Sequence, residues 1–274
     1  MDKKRRAESM WPKGYRAAVT LSFDFDAETL WLSRNPENVH RPVLLSHGAY
    51  AYKVAVPRIL ELLNRHKVLS TFFIPGWVAE RHPELVREIK GHGHEVGHHG
   101  YLHEPPHMLT ESEEREVLKK GISILEGITN EKPRGYRSPA WEYSPRTLSL
   151  LSEHGFTYTS AMMDDEMPYQ YESGLVELPV QWVLDDACYF LFSPNPPLSR
   201  VIASPEWVFS IWKSEFDGYY QEGHYFLLTM HPQFTGRPHR IHMLEKLIRH
   251  MKRQKGVWFA RCIDVANHFL SRKG

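Results

Sequence analysis

The stretch RAAVTLSFDFD, residues 16–26, decides how the rest of the chain is read. β-Branched and aromatic residues fill Arg16–Phe25, the composition of a buried strand, and two aspartates close it. Past it the period changes. Val56, Ile59, Leu60 and Leu63 recur at helical spacing within Val54–His66, and Val68–Ile74 is strand-like again. Pro83 opens a helix ending near Gly91 and Gly93. Thr110 with Glu113 forms a capping box ahead of a face made by Val117, Gly121, Ile122, Leu125 and Ile128. Ser144-Pro145 reads as N-cap and first helical residue before Leu148, Leu151 and His154, with Gly155 as the stop. Thr157–Ser160, Val176–Val180, Tyr225–Met230 and Val257–Ala260 are further strands. Helices start at Ser204-Pro205, at His239 (to Met251) and at Asp264. Strands alternating with helices give βα units and a mainly parallel sheet, and about seven of them predict an α/β barrel rather than an open sheet. The stretch 162–200, with five prolines and little apolar periodicity, is expected to be a long functional loop or an insertion.

Composition fits one globular unit over residues 1–274, with 42% hydrophobic residues and 34 Lys+Arg against 33 Asp+Glu. That balance excludes a disordered chain and, at a net charge of +1, argues against a nucleic-acid partner. Cys188 and Cys262 cannot build a disulfide framework and read as small buried hydrophobes. The N-terminal MDKKRRAESMWPKGYR is basic, but no apolar segment follows it, so it does not read as a signal peptide. No apolar run reaches the ~18 residues of a membrane span. The expectation is a cytoplasmic protein without membrane contact.

Chemistry gathers at the strand ends. Six of the 17 histidines lie between His92 and His107. His99 and His103 are four apart, so one helical turn would set both imidazoles on the same side. Asp24 and Asp26, two apart on a strand, point to the same side. They are either a solvated strand end or a pair neutralised by a cation. One aspartate with two histidines would leave a fourth coordination position for water, as catalytic zinc sites do, and the other aspartate would serve as general base. Arg137 and Trp141 in YRSPAWEYS, and His231 after YFLLTM, also follow predicted strands. In a barrel all of these emerge on the C-terminal face, where active sites are built. GHGHEVG is not a GxGxxG fingerprint, and GxSxG does not occur.

These segments resemble, in order, the motifs of the polysaccharide deacetylase (NodB-homology) superfamily. SFDFDAE resembles its TFDD-type motif with one residue inserted between the aspartates, and GHGHEVGHHGYLHE is similar to HGHEIGNHTYSHP. YRSPAWEYS resembles the RPPYG-type motif and LLTMHPQ the LLxHD-type motif, so the likeness runs over roughly residues 16–272. It implies a distorted (β/α)7, TIM-barrel-like fold and a divalent metal, most often Zn2+, on Asp26, His99 and His103. It implies Asp24 as general base, Arg137 as the group that orients it, and His231 as the acid for the leaving nitrogen. His99 rather than its neighbour His98 takes the ligand position.

Three departures point to one branch of that superfamily. They are the DxD spacing, Trp141 in place of a tyrosine, and HPQFTGRPHR in place of HD; LPVQWVLDDACYF also resembles this branch. The branch holds signal-less peptidoglycan-deacetylase-like, cyclic-imidase and allantoinase-like enzymes. The resemblance therefore implies hydrolysis of a small amide or cyclic imide, with deacetylation of peptidoglycan or another N-acetylated glycan as the alternative, and a homo-oligomer. Some roles stay open. Trp141 lines the substrate pocket or belongs to the core. Arg237, with Arg240, grips an anionic substrate group or caps a loop. Asp164, Asp165, Asp185 and Asp186 are solvated turn residues, or they orient His231 or bind substrate.

Overall fold

The computed structural model describes residues 10–194, 197–198 and 202–272. Nine strands form one sheet: β1 Ala17–Asp24, β2 Thr71–Ile74, β3 Glu95–His98, β4 Gly135–Tyr136, β5 Tyr158–Thr159, β6 Tyr169–Gln170, β7 Val176–Glu177, β8 Tyr225–Met230 and β9 Val257–Phe259. The order is β8-β1-β2-β3-β4-β5-β7-β6, with β9 also paired to β1. Every pairing is parallel except β6 with β7. The sheet curls into the expected distorted barrel. Between β7 and β8 a single bridge, Asp185 to Thr229, stands where a strand would run.

The connecting helices are α1 Thr29–Leu32, α2 Pro42–Tyr50, α3 Val56–His66, α4 Gly76–Arg81, α5 Pro83–Gly91, α6 Glu111–Thr129 and α7 Thr147–Glu153. They continue with α8 Ala187–Phe190, α9 Pro205–Glu222, α10 Pro232–Thr235, α11 Pro238–Lys252 and α12 Cys262–Ser271. A single π-helical turn, Ala51–Ala55, joins α2 to α3. No described helix is long and apolar enough to cross a membrane. The capping box at Thr110 and Glu113 is formed, and Ser204 caps α9 through the amide of Trp207.

One sequence expectation shifts. The helix expected at Ser144-Pro145 starts at Thr147, because Ser144 and Thr147 first bond to each other and then to Glu114 at 2.6 and 2.5 Å. The stretch 162–200, expected as a long loop or an insertion, holds β6, β7 and α8, while 195–196 and 199–200 lie outside the described residues.

Strand β1 shows how the fold positions the chemistry. Val19, Leu21 and Phe23, with Phe25 just beyond, pack into the main apolar core with Ile59, Leu63 and Leu244 of the helices. The alternate residues point the other way, and they are polar. Thr20 and Ser22 bond to the carbonyls of Ala260 and Leu228, at 2.9 and 3.0 Å. Asp24 and Asp26 continue that row to the strand's C-terminal end.

Candidate active site

Asp26 is fully buried, and neither of its carboxylate oxygens receives a hydrogen bond from the described residues. Such a carboxylate is costly unless a cation compensates it. Around it stand three imidazoles: His99 Nε2 at 3.3 Å, His231 Nε2 at 3.5 Å and His103 Nε2 at 3.7 Å. The ligand atoms of Asp26, His99 and His103 all lie within 4.8 Å of one another. His99 Nδ1–H donates to the Arg137 carbonyl at 2.7 Å, which turns Nε2 toward Asp26. Burial pushes the His103 imidazole down to about 4, so it is neutral near pH 7. Burial opposes ionisation of Asp26 as well, but His103 and His99 hold its carboxyl well below the usual range. One ionised oxygen ligand and two imidazole nitrogens make a donor set that fits a zinc-type cation.

The histidine pair is not built on a helical turn. Gly100 and His103 both take left-handed backbone conformations, at φ +72° and +63°. The amides of Tyr101 and Leu102 donate to Glu104 Oε2 at 3.0 and 2.8 Å. The loop thereby folds back until the two rings sit 5.0 Å apart. His98, ending β3, turns away: its ring lies between the Leu118 carbonyl and the Gly100 amide. Among the described residues six non-glycines have positive φ, and four of them (Ala27, His103, Ala140 and Trp141) sit in the loops around this cluster. Backbone strain of this kind concentrates where function needs a fixed geometry.

Asp24 has one oxygen tied back and one presented. Its Oδ1 accepts from Arg137 Nη1 at 2.8 Å, while Oδ2 lies 3.9 Å from His99 Nε2. Arg137 is itself fully buried, bonded to Ser22 and Ser160 and seated over the Phe73 ring. Burial works against its charge, and the neighbouring Asp24 outweighs that. His231 repeats the design. Its Nδ1 lies 2.7 Å from Asp186 Oδ1, its backbone amide donates to both Asp186 oxygens at 3.0 Å, and its Nε2 faces Asp26. Burial alone would lower its pKa, but Asp186, Asp185 and Asp26 raise it well above the ordinary value. Asp185 and Asp186 are therefore not solvated turn residues. Asp186 also accepts from Thr235 at 2.5 Å, and Asp185 Oδ1 accepts from the Ala187 amide at 2.8 Å. Asp164 and Asp165 do sit in a turn, bonded to Tyr169 and the Met167 amide.

A pocket of about 700 Å³ opens over these groups. Trp141 belongs both to its wall and to an apolar core cluster, and it stacks on Trp182 at 4.5 Å. Arg237 is not brought there. Its guanidinium covers the Tyr50 ring at 3.6 Å, and Arg240 covers Phe190 at 4.2 Å, so both serve loop structure. The wall also holds Leu30, Arg34, Trp182, Cys188 and Leu191, which sequence reasoning missed. Their one signal was position, since they lie in the segments following Asp26 and flanking Asp186. Cys262 is buried as expected, whereas Cys188 is only partly so.

Comparison with known proteins agrees with this geometry. The polysaccharide deacetylase family model matches residues 45–159, a span that includes His99, His103 and Arg137. The peptidoglycan deacetylase of Helicobacter pylori is 34% identical, covering 93% of this chain and 96% of its own. A solved structure assigned to the polysaccharide deacetylases, from Mycobacterium smegmatis, is 40% identical with a TM-score of 0.93, over 96% of this chain and 93% of its own. The structure of Puue allantoinase superposes with a TM-score of 0.83 at 25% identity, over 97% and 93% of the two chains. With near-complete coverage by relatives at this identity, the chain belongs to the polysaccharide deacetylase family.

Proposed function

We propose that the protein hydrolyses a carbon–nitrogen bond of a small amide or cyclic imide, with a divalent cation, Zn2+ by its donor set, held by Asp26, His99 and His103. The observation that carries the reading is the matched pair Asp24 and His231, each with one atom anchored and the other turned toward a ligand of the cluster, Asp24 toward His99 and His231 toward Asp26. When bound, the cation supplies Lewis-acid polarisation of the carbonyl and acidifies the attacking water. Asp24 Oδ2 takes the proton of that water, while Arg137 on Oδ1 holds the carboxylate aimed. As the C–O bond forms and the C–N bond breaks, His231 Nε2 gives its proton to the departing nitrogen. Asp186 on Nδ1 stabilises the imidazolium before that transfer. An ionised Asp24 and a protonated His231 are needed together, so the rate should be bell-shaped in pH, its alkaline limb displaced upward by Asp186.

The substrate reading rests on the pocket. At about 700 Å³ it has the size of a small-molecule site, and the Trp141–Trp182 stack offers a flat apolar wall to a planar ring. An allantoinase among the structural neighbours supports the same class. The full-length likeness to a peptidoglycan deacetylase favours a second reading, N-deacetylation of a glycan by the same groups. Zinc-loaded protein offered succinimide, hydantoin and allantoin in one arm, and N-acetylglucosamine oligomers and peptidoglycan fragments in the other, separates them. Ring opening is the expected result. Acetate release without ring opening overturns the small-ring reading in favour of the second.

A further inference from the structure

Arg34 is the one lysine or arginine in the pocket wall among the described residues. No hydrogen bond or ion pair to another described residue holds its guanidinium, and the charge that attracts it is that of Asp26. Its backbone, by contrast, is fixed. Asn35 Oδ1 caps the next turn through the Glu37 amide at 3.0 Å, and buried Asn38 donates to the Trp31 carbonyl at 2.8 Å. Leu30, one turn earlier on α1, lines the same wall.

The remaining charges in the pocket already have partners. Asp24 is paired with Arg137 at 2.8 Å, and Asp185 accepts the Ala187 amide and lies 3.6 Å from His231. Once a cation engages Asp26, the attraction that Asp26 exerts on Arg34 is spent. The mouth then carries a guanidinium whose five donors have no acceptor among the described residues. An anionic group on the ligand is the chemistry that completes it, and a planar carboxylate matches the guanidinium fork.

We infer that Arg34 selects substrates that carry a carboxylate beside the scissile amide, so that the pocket takes anionic rather than neutral rings. Arg34 acts as a specificity residue: it binds the part of the ligand that does not react. The inference rests on the small-amide reading of the same site, and it gives Arg34 a role that the sequence offered as one alternative for Arg237.

Hydantoin and hydantoin-5-acetate differ by one carboxylate-bearing arm and serve as matched probes. Titration calorimetry on zinc-loaded protein should show the acetate binding about tenfold tighter or more, the worth of a charge-assisted contact. In Arg34→Gln the ratio of the two affinities should fall by about the same factor, and Arg34→Lys should recover part of it. A wild-type ratio near one overturns the inference, and this needs no variant to fold. A ratio kept in Arg34→Gln also overturns it, because the carboxylate is then held elsewhere. Ring opening followed on the same samples separates the two readings. An Arg34-dependent preference without ring opening upholds the carboxylate role while defeating the cyclic-substrate reading; ring opening with no preference does the reverse.

Discussion

Asp24 and Asp26 are the same residue type two positions apart, yet their surroundings give them different work. Arg137 anchors an oxygen of Asp24, whereas Asp26 is left with two buried oxygens and no donor among the described residues. Asp24→Asn keeps size and an acceptor for Arg137 but removes the basic oxygen. Zinc content should therefore stay near stoichiometric while kcat falls by about 10²–10⁴. His103→Ala removes a ligand atom, so zinc should be lost along with activity. Metal analysis of both purified variants beside their rates checks the split, and near-normal turnover in Asp24→Asn would mean that another group is the base. Asp24, Asp26, His99, His103, Arg137 and His231 were all legible in the sequence, because motif order and strand ends single them out. Asp186 was not. A DD pair in a proline-rich stretch looks the same whether it faces solvent or an imidazole, and only folding brings it within 2.7 Å of His231, 45 residues away. Arg34 was hidden for a related reason, since nothing local marks an arginine that has no partner among the described residues.

Helix α6 shows tertiary packing overruling local preference within one element. It carries two glycines with opposite expectations. Gly127 is exposed, and a methyl added there would meet no neighbouring atom, so Gly127→Ala should stabilise the protein by up to about 1 kcal/mol through helix propensity. At Gly121 a methyl would run into the His98 imidazole. That ring cannot yield easily, because the Leu118 carbonyl at 3.3 Å and the Gly100 amide at 3.1 Å hold both nitrogens. Overpacking typically costs about 1–3 kcal/mol, which outweighs the propensity gain, so Gly121→Ala should be destabilised. Urea midpoints of the two variants should shift in opposite directions, and zinc affinity should weaken only in Gly121→Ala, where His98 adjoins ligand His99. The amphipathic face and capping box of α6 were readable from spacing. The loop after β3 was not: the HxxxH spacing matches a helical turn, but Gly100 in the left-handed region and the Glu104 carboxylate on two loop amides build a different return.

At the scale of the molecule, alternating strand and helix patterns were enough to indicate a barrel, and its distortion was not. β4, β5 and β7 are two residues long each, and one bridge at Asp185 stands in the gap before β8. Such short pairings depend on what the barrel mouth encloses, which no local pattern reports. The mouth encloses Asp26, His99, His103 and His231, drawn from three loops far apart in the chain. A carboxylate buried there without hydrogen bonds raises the free energy of the metal-free fold, and a cation that binds only the folded state offsets this. At 100 times its Kd, zinc should add about 2.7 kcal/mol, and for a chain of this size that is roughly 5–10 °C in Tm. Melting curves in chelator and in zinc should differ by that amount for the wild type and by far less for His103→Ala. An equal shift in His103→Ala would place the stabilising ion elsewhere, and no shift in either would mean that Asp26 is compensated by the imidazoles alone. The expected outcome ties the site to the fold: the same ion that serves the chemistry holds together the loops that an incompletely paired sheet leaves least constrained.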